Sequence, residues 1–250
     1  ISVARDNADI IIDFEIKKDV DELIEKLLKK NIKYIINCVG LLIQNSDKRP
    51  DKAIWLNSWL PKYLEYRFKS TKIQIIHIST DCVFNGKVGA YIESDIPNET
   101  NIYGRTKAMG EIDNNKDITF RTSIIGPEIK ENGSGLLYWF LKRSGKNVNG
   151  WNNVFWNGIT TLELAKCIKK WIENPNCTGI YHLSTTNKIS KLELLKMFND
   201  IYKANKIITN IYAPDTLDKT LIDTRKELDF QVKDYETQLI ELRDFQENFY

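Results

Sequence analysis

Paired cysteines and clustered histidines are missing from this sequence. Its four cysteines, Cys38, Cys82, Cys167 and Cys177, form no C-x-x-C pair, and His77 and His182 are its only histidines. That removes the usual zinc spacings, and no metal site is expected. Thiols without paired spacing read as reduced, which points to a cytoplasmic protein. Long apolar runs are missing too. Nothing approaches the ~18 residues of a membrane span, so no membrane partner is expected, and the opening Ile1-Ser2-Val3-Ala4-Arg5 has no signal-peptide character. A dominant charge is also lacking. Thirty-six Lys and Arg face 34 Asp and Glu, and the lysines are scattered, which argues against nucleic acid as a partner. At 42% apolar and 28% charged, the 250 residues suit one large domain, or a main domain with a smaller lobe.

What is present is alternation. Residues 1–4 and 8–12 are short apolar runs that predict strands. Residues 19–30 carry Val20, Leu23, Ile24, Leu27 and Leu28 at helical spacing, with Asp19 as the expected N-cap and Asn31 just past the end. Strands are predicted at 34–39, 73–79 and 118–125. Helices are predicted at 53–68, with a kink at Pro61, and at 103–112. Such alternation predicts an α/β fold with a doubly wound parallel sheet. The texture changes near Gly126-Pro127. Residues 128–156 are rich in Gly, Asn and Trp, with a helix at 136–142, before helices at 161–173 and 191–203 and a strand at 179–184. We expect a main part at 1–126 and a smaller lobe at 127–250, with the chain crossing back to the first part.

The strongest local signal is Ile78-Ser79-Thr80-Asp81 at a strand end, followed by a helix opening Tyr103-Gly104-Arg105-Thr106-Lys107. Four residues apart, Tyr103 and Lys107 share a helix face. An ammonium beside a phenol favours the phenolate and lowers the tyrosine pKa from its usual ~10, which suits proton transfer near neutrality. A hydroxyl at the strand end, Thr80, can bond the same reacting oxygen. Together these groups suit protonation of a ketone oxygen while a nicotinamide gives hydride to its carbon. Tyr-x3-Lys alone specifies little, since Tyr138…Lys142 and Tyr202…Lys206 repeat it. Its place after the carboxyl end of a strand, where ligands bind in open α/β sheets, singles out Tyr103 and Lys107. Cys82 beside Asp81 has no base to activate it, and both histidines read as satisfied core residues.

The run Ile78-Ser79-Thr80-Asp81-Cys82-Val83-Phe84-Asn85-Gly86, then Tyr91-x-Glu93-x-Asp95, then Tyr103-Gly104-x-x-Lys107-x-x-Gly110-Glu111, resembles the extended short-chain dehydrogenases, in particular the dTDP-4-dehydrorhamnose reductase family. Further similarity lies at 35–40, at Leu56-Asn57 with Leu60-Pro61, at 121–126, 156–161 and 179–184.

The resemblance implies a Rossmann-like dinucleotide-binding part and a C-terminal substrate-binding lobe. It implies reduction of the 4-keto group of a 4-keto-6-deoxy nucleotide sugar, dTDP- or UDP-linked, in the making of a deoxysugar donor. Tyr103 would donate the proton, Lys107 would lower its pKa and hold the nicotinamide ribose, and Thr80 would orient the carbonyl. Asn57 reads either as part of a proton relay or as a polar residue that bends its helix. Asn37, Cys38, Val39, Gly40, Ser79 and Ser123 would contact the cofactor. Asp81, Val83, Phe84 and Asn85 would border the sugar. Trp151 would lie at the nucleotide end, and so would Arg225 unless it is a surface cation. Arg5, after the strand that the resemblance makes the second, favours the 2′-phosphate of NADPH, with NADH as the alternative. Asp13 would lie near the adenine or is a solvated strand-end carboxylate. A homodimer is compatible with such folds.

The family opens with a strand, a Gly-x-x-Gly-x-x-Gly turn and a helix. No such turn occurs here, and the first glycine is Gly40. We expect a strand-turn-helix of roughly 30 residues to precede Ile1, from the size of a βαβ unit. Two other readings stay open: a nucleotide-sugar epimerase, and a non-catalytic regulatory or binding subunit with the same fold.

Overall fold

The computed structural model describes residues 1–128, 133, 135–225, 227 and 229–249. The chain divides into two compact units. The first holds Ile1–Ser79, Pro97–Phe120 and Thr178–Ile180, and the second Thr80–Ile96, Arg121–Cys177 and Tyr181–Tyr250. The chain thus leaves the first unit at Ser79, returns at Pro97 and leaves again at Phe120, ahead of the change in texture near Gly126.

In the first unit, β1 (Val3–Ala4) and β2 (Ile10–Ile11) pair in parallel. Helix α1 (Lys17–Leu28) follows and buries Val20, Leu23, Ile24 and Leu27, the face read from the sequence. Its start differs from expectation. The chain turns back at Asp13, whose carbonyl accepts the Ile16 N–H at 3.0 Å, so the helix begins two residues before Asp19. Asp19 is therefore not the N-cap. It lies in the first turn and accepts the Asp13 N–H at 3.2 Å.

Strands β3 (Tyr34–Asn37), β4 (Gln74–Ile78) and β5 (Ile118–Thr122) run parallel, with Ile35 opposite Ile75 and Ile76 opposite Ile118. Strand β10 (Gly179–Leu183) completes the order β10-β5-β4-β3, and its Gly179 N–H reaches the Asp117 carbonyl at 2.8 Å. Between β3 and β4 lie two short helices, α2 (Ile43–Ser46) and α3 (Pro50–Ala53), then a π-helical stretch Ile54–Trp59 and α4 (Leu60–Phe68). The bend expected at Pro61 is thus taken up just upstream of it. Proline has no N–H for the Asn57 carbonyl four residues back, and the ladder widens to π register there. Trp55, Trp59 and Tyr63 stack along this side at 4.0 and 4.4 Å. Helix α5 (Ile102–Gly110) is capped by Asn101, which accepts the Gly104 N–H at 2.8 Å. Val20 and Ile24 of α1, Leu60 and Phe68 of α4, and Ile75 of β4 share one core. Burying a side chain such as Phe68 contributes roughly 1.5–3 kcal/mol.

The second unit is built from short pieces. The strand expected over 118–125 breaks after Thr122, and β6 (Ile124–Ile125) pairs instead with β9 (Ile159–Thr160). Helix α6 (Leu136–Lys142) leads to β7 (Asn147–Trp151), which pairs in parallel with β12 (Ile207–Ile211). Strand β8 (Val154–Trp156) lies between β11 (Ile189–Ser190) and β13 (Leu217–Asp218). Helix α7 (Thr161–Glu173) is capped by Thr160. Helix α8 (Lys191–Ile201) starts with a capping box, in which Ser190 and Glu193 satisfy each other's backbone N–H. Helix α9 (Tyr235–Phe249) supplies Leu239 and Leu242 to a core shared with Phe140, Val148, Leu194 and Phe198.

Candidate active site

Asn57 ties the first unit's chemistry-bearing elements together. Its Oδ1 accepts the Leu41 N–H at 2.7 Å, and its Nδ2 donates to the Leu41 carbonyl at 3.1 Å and to Thr106 Oγ1 at 3.2 Å. One carboxamide thus clamps the turn after β3 and docks on α5. Ser58 adds a bond from its hydroxyl to the Thr106 carbonyl at 2.7 Å. The approach is close enough to need glycine. A Cβ on Gly110 would lie 1.9 Å from the Asn57 carbonyl oxygen, and one on Gly40 would lie 3.2 Å from Asn57 Oδ1. Asn57 lies in the π-helical stretch, and its side chain acts as a clamp. Both its amide protons are already given, so the side chain has none left to relay.

Helix α5 thereby holds Lys107 against the end of β4, with Tyr103 half-buried one turn earlier. Lys107 is buried, and its Nζ donates to the Ile78 carbonyl at 2.7 Å. Burial pulls its pKa down to about 8, against the opposing pull of the Glu111 carboxylate. Glu111 accepts the Ser79 hydroxyl at 2.7 Å, so residues four apart grip successive residues at the strand end. Three ammonium donors with one hydrogen-bond partner among the described residues leave two for a ligand. That fits a ribose diol. The adjoining Cys38 and Gly40 are exposed and Val39 is half-buried, so this strand end can be approached from solvent. Asn37 is buried. Its Oδ1 accepts the Val39 N–H at 3.2 Å and its Nδ2 lies 3.1 Å from His77 Nδ1. Burial, with the charges of Lys107 and Lys62, keeps His77 neutral. The proton then sits on Nε2, which has no partner among the described residues. His77 is therefore a half-satisfied core residue, not the fully satisfied one expected. Arg5 is exposed, and Asp13 accepts the Glu15 N–H at 2.9 Å.

In the second unit, Thr80 caps the short 3-10 turn Asp81–Val83. Its Oγ1 accepts the Cys82 N–H and donates to Asp81 Oδ1, each at 3.1 Å. To donate to a carbonyl, this hydroxyl must turn away from Asp81. Asp81 is buried, and burial raises its pKa, with Lys191 and Lys219 opposing. Val83 and Phe84 are wholly buried. Phe84 stacks on Tyr91 at 4.1 Å, lies edge-on to His182, and carries the Arg121 guanidinium 5.2 Å from its ring. These two residues hold the segment from beneath rather than offering their side chains to a ligand. Asn85 accepts the Lys87 N–H at 3.0 Å. Ser123 gives its carbonyl to Ile159 N–H at 2.8 Å. His182 is paired on both nitrogens, with the Ile222 carbonyl at 3.0 Å and Arg121 at 3.4 Å, and burial drives its pKa down to about 4. Cys82 is pushed up to about 12, chiefly by burial, which makes it a poor nucleophile.

Trp151 lines a cavity of about 460 Å³ together with Leu136, Trp139, Arg143, Asn147, Asn149, Val154, Lys191, Leu195 and Ile211. Sequence reading found only Trp151 of this set. The others come from five elements, α6, β7, β8, α8 and β12, and no local pattern joins them. Arg225 lies outside it. Its guanidinium sits 4.1 Å from the Tyr181 ring centroid and pairs with Glu227 at 2.7 Å. Among the described residues no helix is long and apolar enough to cross a membrane.

The family model described as the RmlD substrate binding domain matches residues 4–227. The fold resembles a dTDP-4-dehydrorhamnose reductase from Clostridium acetobutylicum, with a TM-score of 0.79, 20% identity, and coverage of 94% of this chain and 88% of the other. A dTDP-4-dehydrorhamnose reductase from Bacillus anthracis, solved in complex with NADP, gives 0.78, 20%, 94% and 87%. Among curated proteins, the methionine adenosyltransferase 2 subunit beta of Xenopus tropicalis is 25% identical over 168 residues, 62% of this chain and 50% of that one. The chain spans about half the length of the first curated relatives it matches. With most of its length under one family model and a sheet of parallel strands to match, the chain belongs to the RmlD substrate binding domain family.

Proposed function

We propose that this protein is a nucleotide-sugar reductase that uses NADPH to reduce the 4-keto group of a 4-keto-6-deoxy sugar linked to dTDP or UDP, in the cytoplasm. The observation that carries the reading is the buried Lys107 one helical turn from Tyr103, held by the Ile78 carbonyl with two ammonium donors left over. The nicotinamide supplies hydride when bound. The chain's own residues do the rest. Lys107 grips the ribose and, while charged, favours the Tyr103 phenolate, so the phenol gives up its proton to the new alkoxide near neutral pH. Thr80 turns its hydroxyl from Asp81 toward the carbonyl. The turn after β3, clamped by Asn57, presents Cys38, Val39 and Gly40 to the cofactor, and Ser79 and Ser123 flank it. Arg5 favours NADPH over NADH through the 2′-phosphate. The reductases that share the fold support this reading.

The likeness to methionine adenosyltransferase 2 subunit beta supports a second reading, a subunit that serves a partner enzyme. One experiment separates them. NADPH consumption is followed with UDP- and dTDP-linked 4-keto-6-deoxy sugars in parallel. Turnover with either supports the reductase and names the nucleotide. NADPH binding with no turnover on both overturns it in favour of the subunit.

A further inference from the structure

A threonine hydroxyl has one proton and two lone pairs, so the contacts of Thr80 can be counted. Its Oγ1 accepts the Cys82 N–H and gives its proton to Asp81 Oδ1, each at 3.1 Å. One lone pair is left. In this state Thr80 can only accept from a ligand. An alcohol, which brings its own proton, suits it. A ketone oxygen offers only lone pairs and meets another on Thr80.

The donor side opens when Asp81 carries a proton. Its carboxyl O–H then donates to Thr80 Oγ1, the Cys82 N–H keeps the other lone pair, and the Thr80 proton is free for a carbonyl. The two oxygens, 3.1 Å apart, serve either direction of this bond without moving. The surroundings bring the two forms of Asp81 closer in energy. Asp81 and Thr80 are 7% and 8% exposed, and burial raises the Asp81 pKa. The charges of Lys191 and Lys219 oppose this, as do hydrogen bonds from Cys82 and Thr80. Burial takes Lys191 down to about 8 and Cys82 up to about 12, so below about 8 the first stays charged and the second stays a thiol.

We propose that Asp81 is a positioning residue that sets what Thr80 can hold: protonated, it frees the Thr80 hydroxyl for the keto sugar, and ionised, it leaves Thr80 an acceptor for the alcohol product. The inference rests on the reductase reading and gives that site a residue that acts only through Thr80. The Asp81 proton is not consumed in the reaction, because the proton that the product keeps comes from Tyr103. By linkage, binding of the keto sugar raises the Asp81 pKa and binding of the alcohol lowers it. The keto sugar is therefore held best at low pH and the alcohol at higher pH.

The test compares two KM values of the full chain against pH, below the value of about 8 at which Lys191 loses its charge. One is that of the UDP- or dTDP-linked 4-keto-6-deoxy sugar in reduction with NADPH. The other is that of its alcohol product in oxidation with NADP. For wild type the first should rise with pH by roughly threefold to tenfold, as for one hydrogen bond lost, and the second should fall. Asp81→Asn carries an amide that can donate or accept but does not titrate, so both curves flatten. Thr80→Ser retains a hydroxyl and keeps the opposed slopes. Lys219→Met removes a cation that favours the carboxylate, so both curves move to higher pH, and it carries the test should Asp81→Asn not fold. A merely structural Asp81 would change both KM values alike at every pH in Asp81→Asn. Parallel or flat wild-type curves, opposed slopes that survive in Asp81→Asn, or curves unmoved in Lys219→Met would each overturn the proposal and leave the reductase reading standing. NADPH binding with no turnover of either keto sugar would overturn the reductase reading, and this proposal with it.

Discussion

The surroundings of α5 in the first unit and of the cavity in the second treat their polar groups differently. Around α5 nearly every such group is committed: Asn57 to Leu41 and Thr106, Lys107 to Ile78, Glu111 to Ser79. Around the cavity of the second unit Arg143 and Lys191 have no anionic partner among the described residues. A committed network fixes geometry before a ligand arrives, which is what proton transfer needs. Thr80, which the proposed chemistry also needs, lies in the second unit, so the difference is one of local surroundings and not of whole units.

The comparison can be broken at its tightest point. In Gly110→Ala the new Cβ has no room against the Asn57 carbonyl at 1.9 Å, so α5 or the π-helical stretch must move. The expected cost is roughly 3 kcal/mol in urea denaturation, with loss of turnover. A cost under ~0.5 kcal/mol, as at an ordinary surface site, would show that the contact is not tight. A smaller effect sharpens the electrostatic side. Glu111 raises the pKa of Lys107 while burial lowers it to about 8. Lys107 is charged below that value, so turnover should fall as pH rises through about 8. Removing the carboxylate in Glu111→Gln lowers the Lys107 pKa further and moves this fall toward acid by about one pH unit, and Glu111→Asp restores part of it. A pH profile that does not move in Glu111→Gln would disconnect the two residues.

Much of this was legible in the sequence because it is local. Tyr103 and Lys107 four apart, the apolar face of α1, and the apolar core of β4 follow from local pattern, whereas in β3 Ile36 is exposed and only Asn37 is buried. The N-cap of α1 was misread because capping depends on where the preceding chain turns, and Asp13 starts the helix at Lys17. The π-helical stretch is a change of hydrogen-bond register, and Pro61 signals a bend without saying which kind. The family resemblance places Phe84 at the border of the sugar, and its burial against Tyr91 could not be read from the sequence. The cavity was the hardest to foresee. It joins α6, β7, β8, α8 and β12, with residues from Leu136 to Ile211, and only folding brings them together.

The central claim is that Tyr103, tuned by Lys107, delivers the proton in a nicotinamide-dependent reduction. The most direct test is Tyr103→Phe, assayed for NADPH binding by fluorescence and for NADPH oxidation with the keto sugar that wild type accepts. The account predicts nearly unchanged NADPH affinity and a loss of turnover of at least ~10²-fold. Turnover close to that of wild type would contradict it.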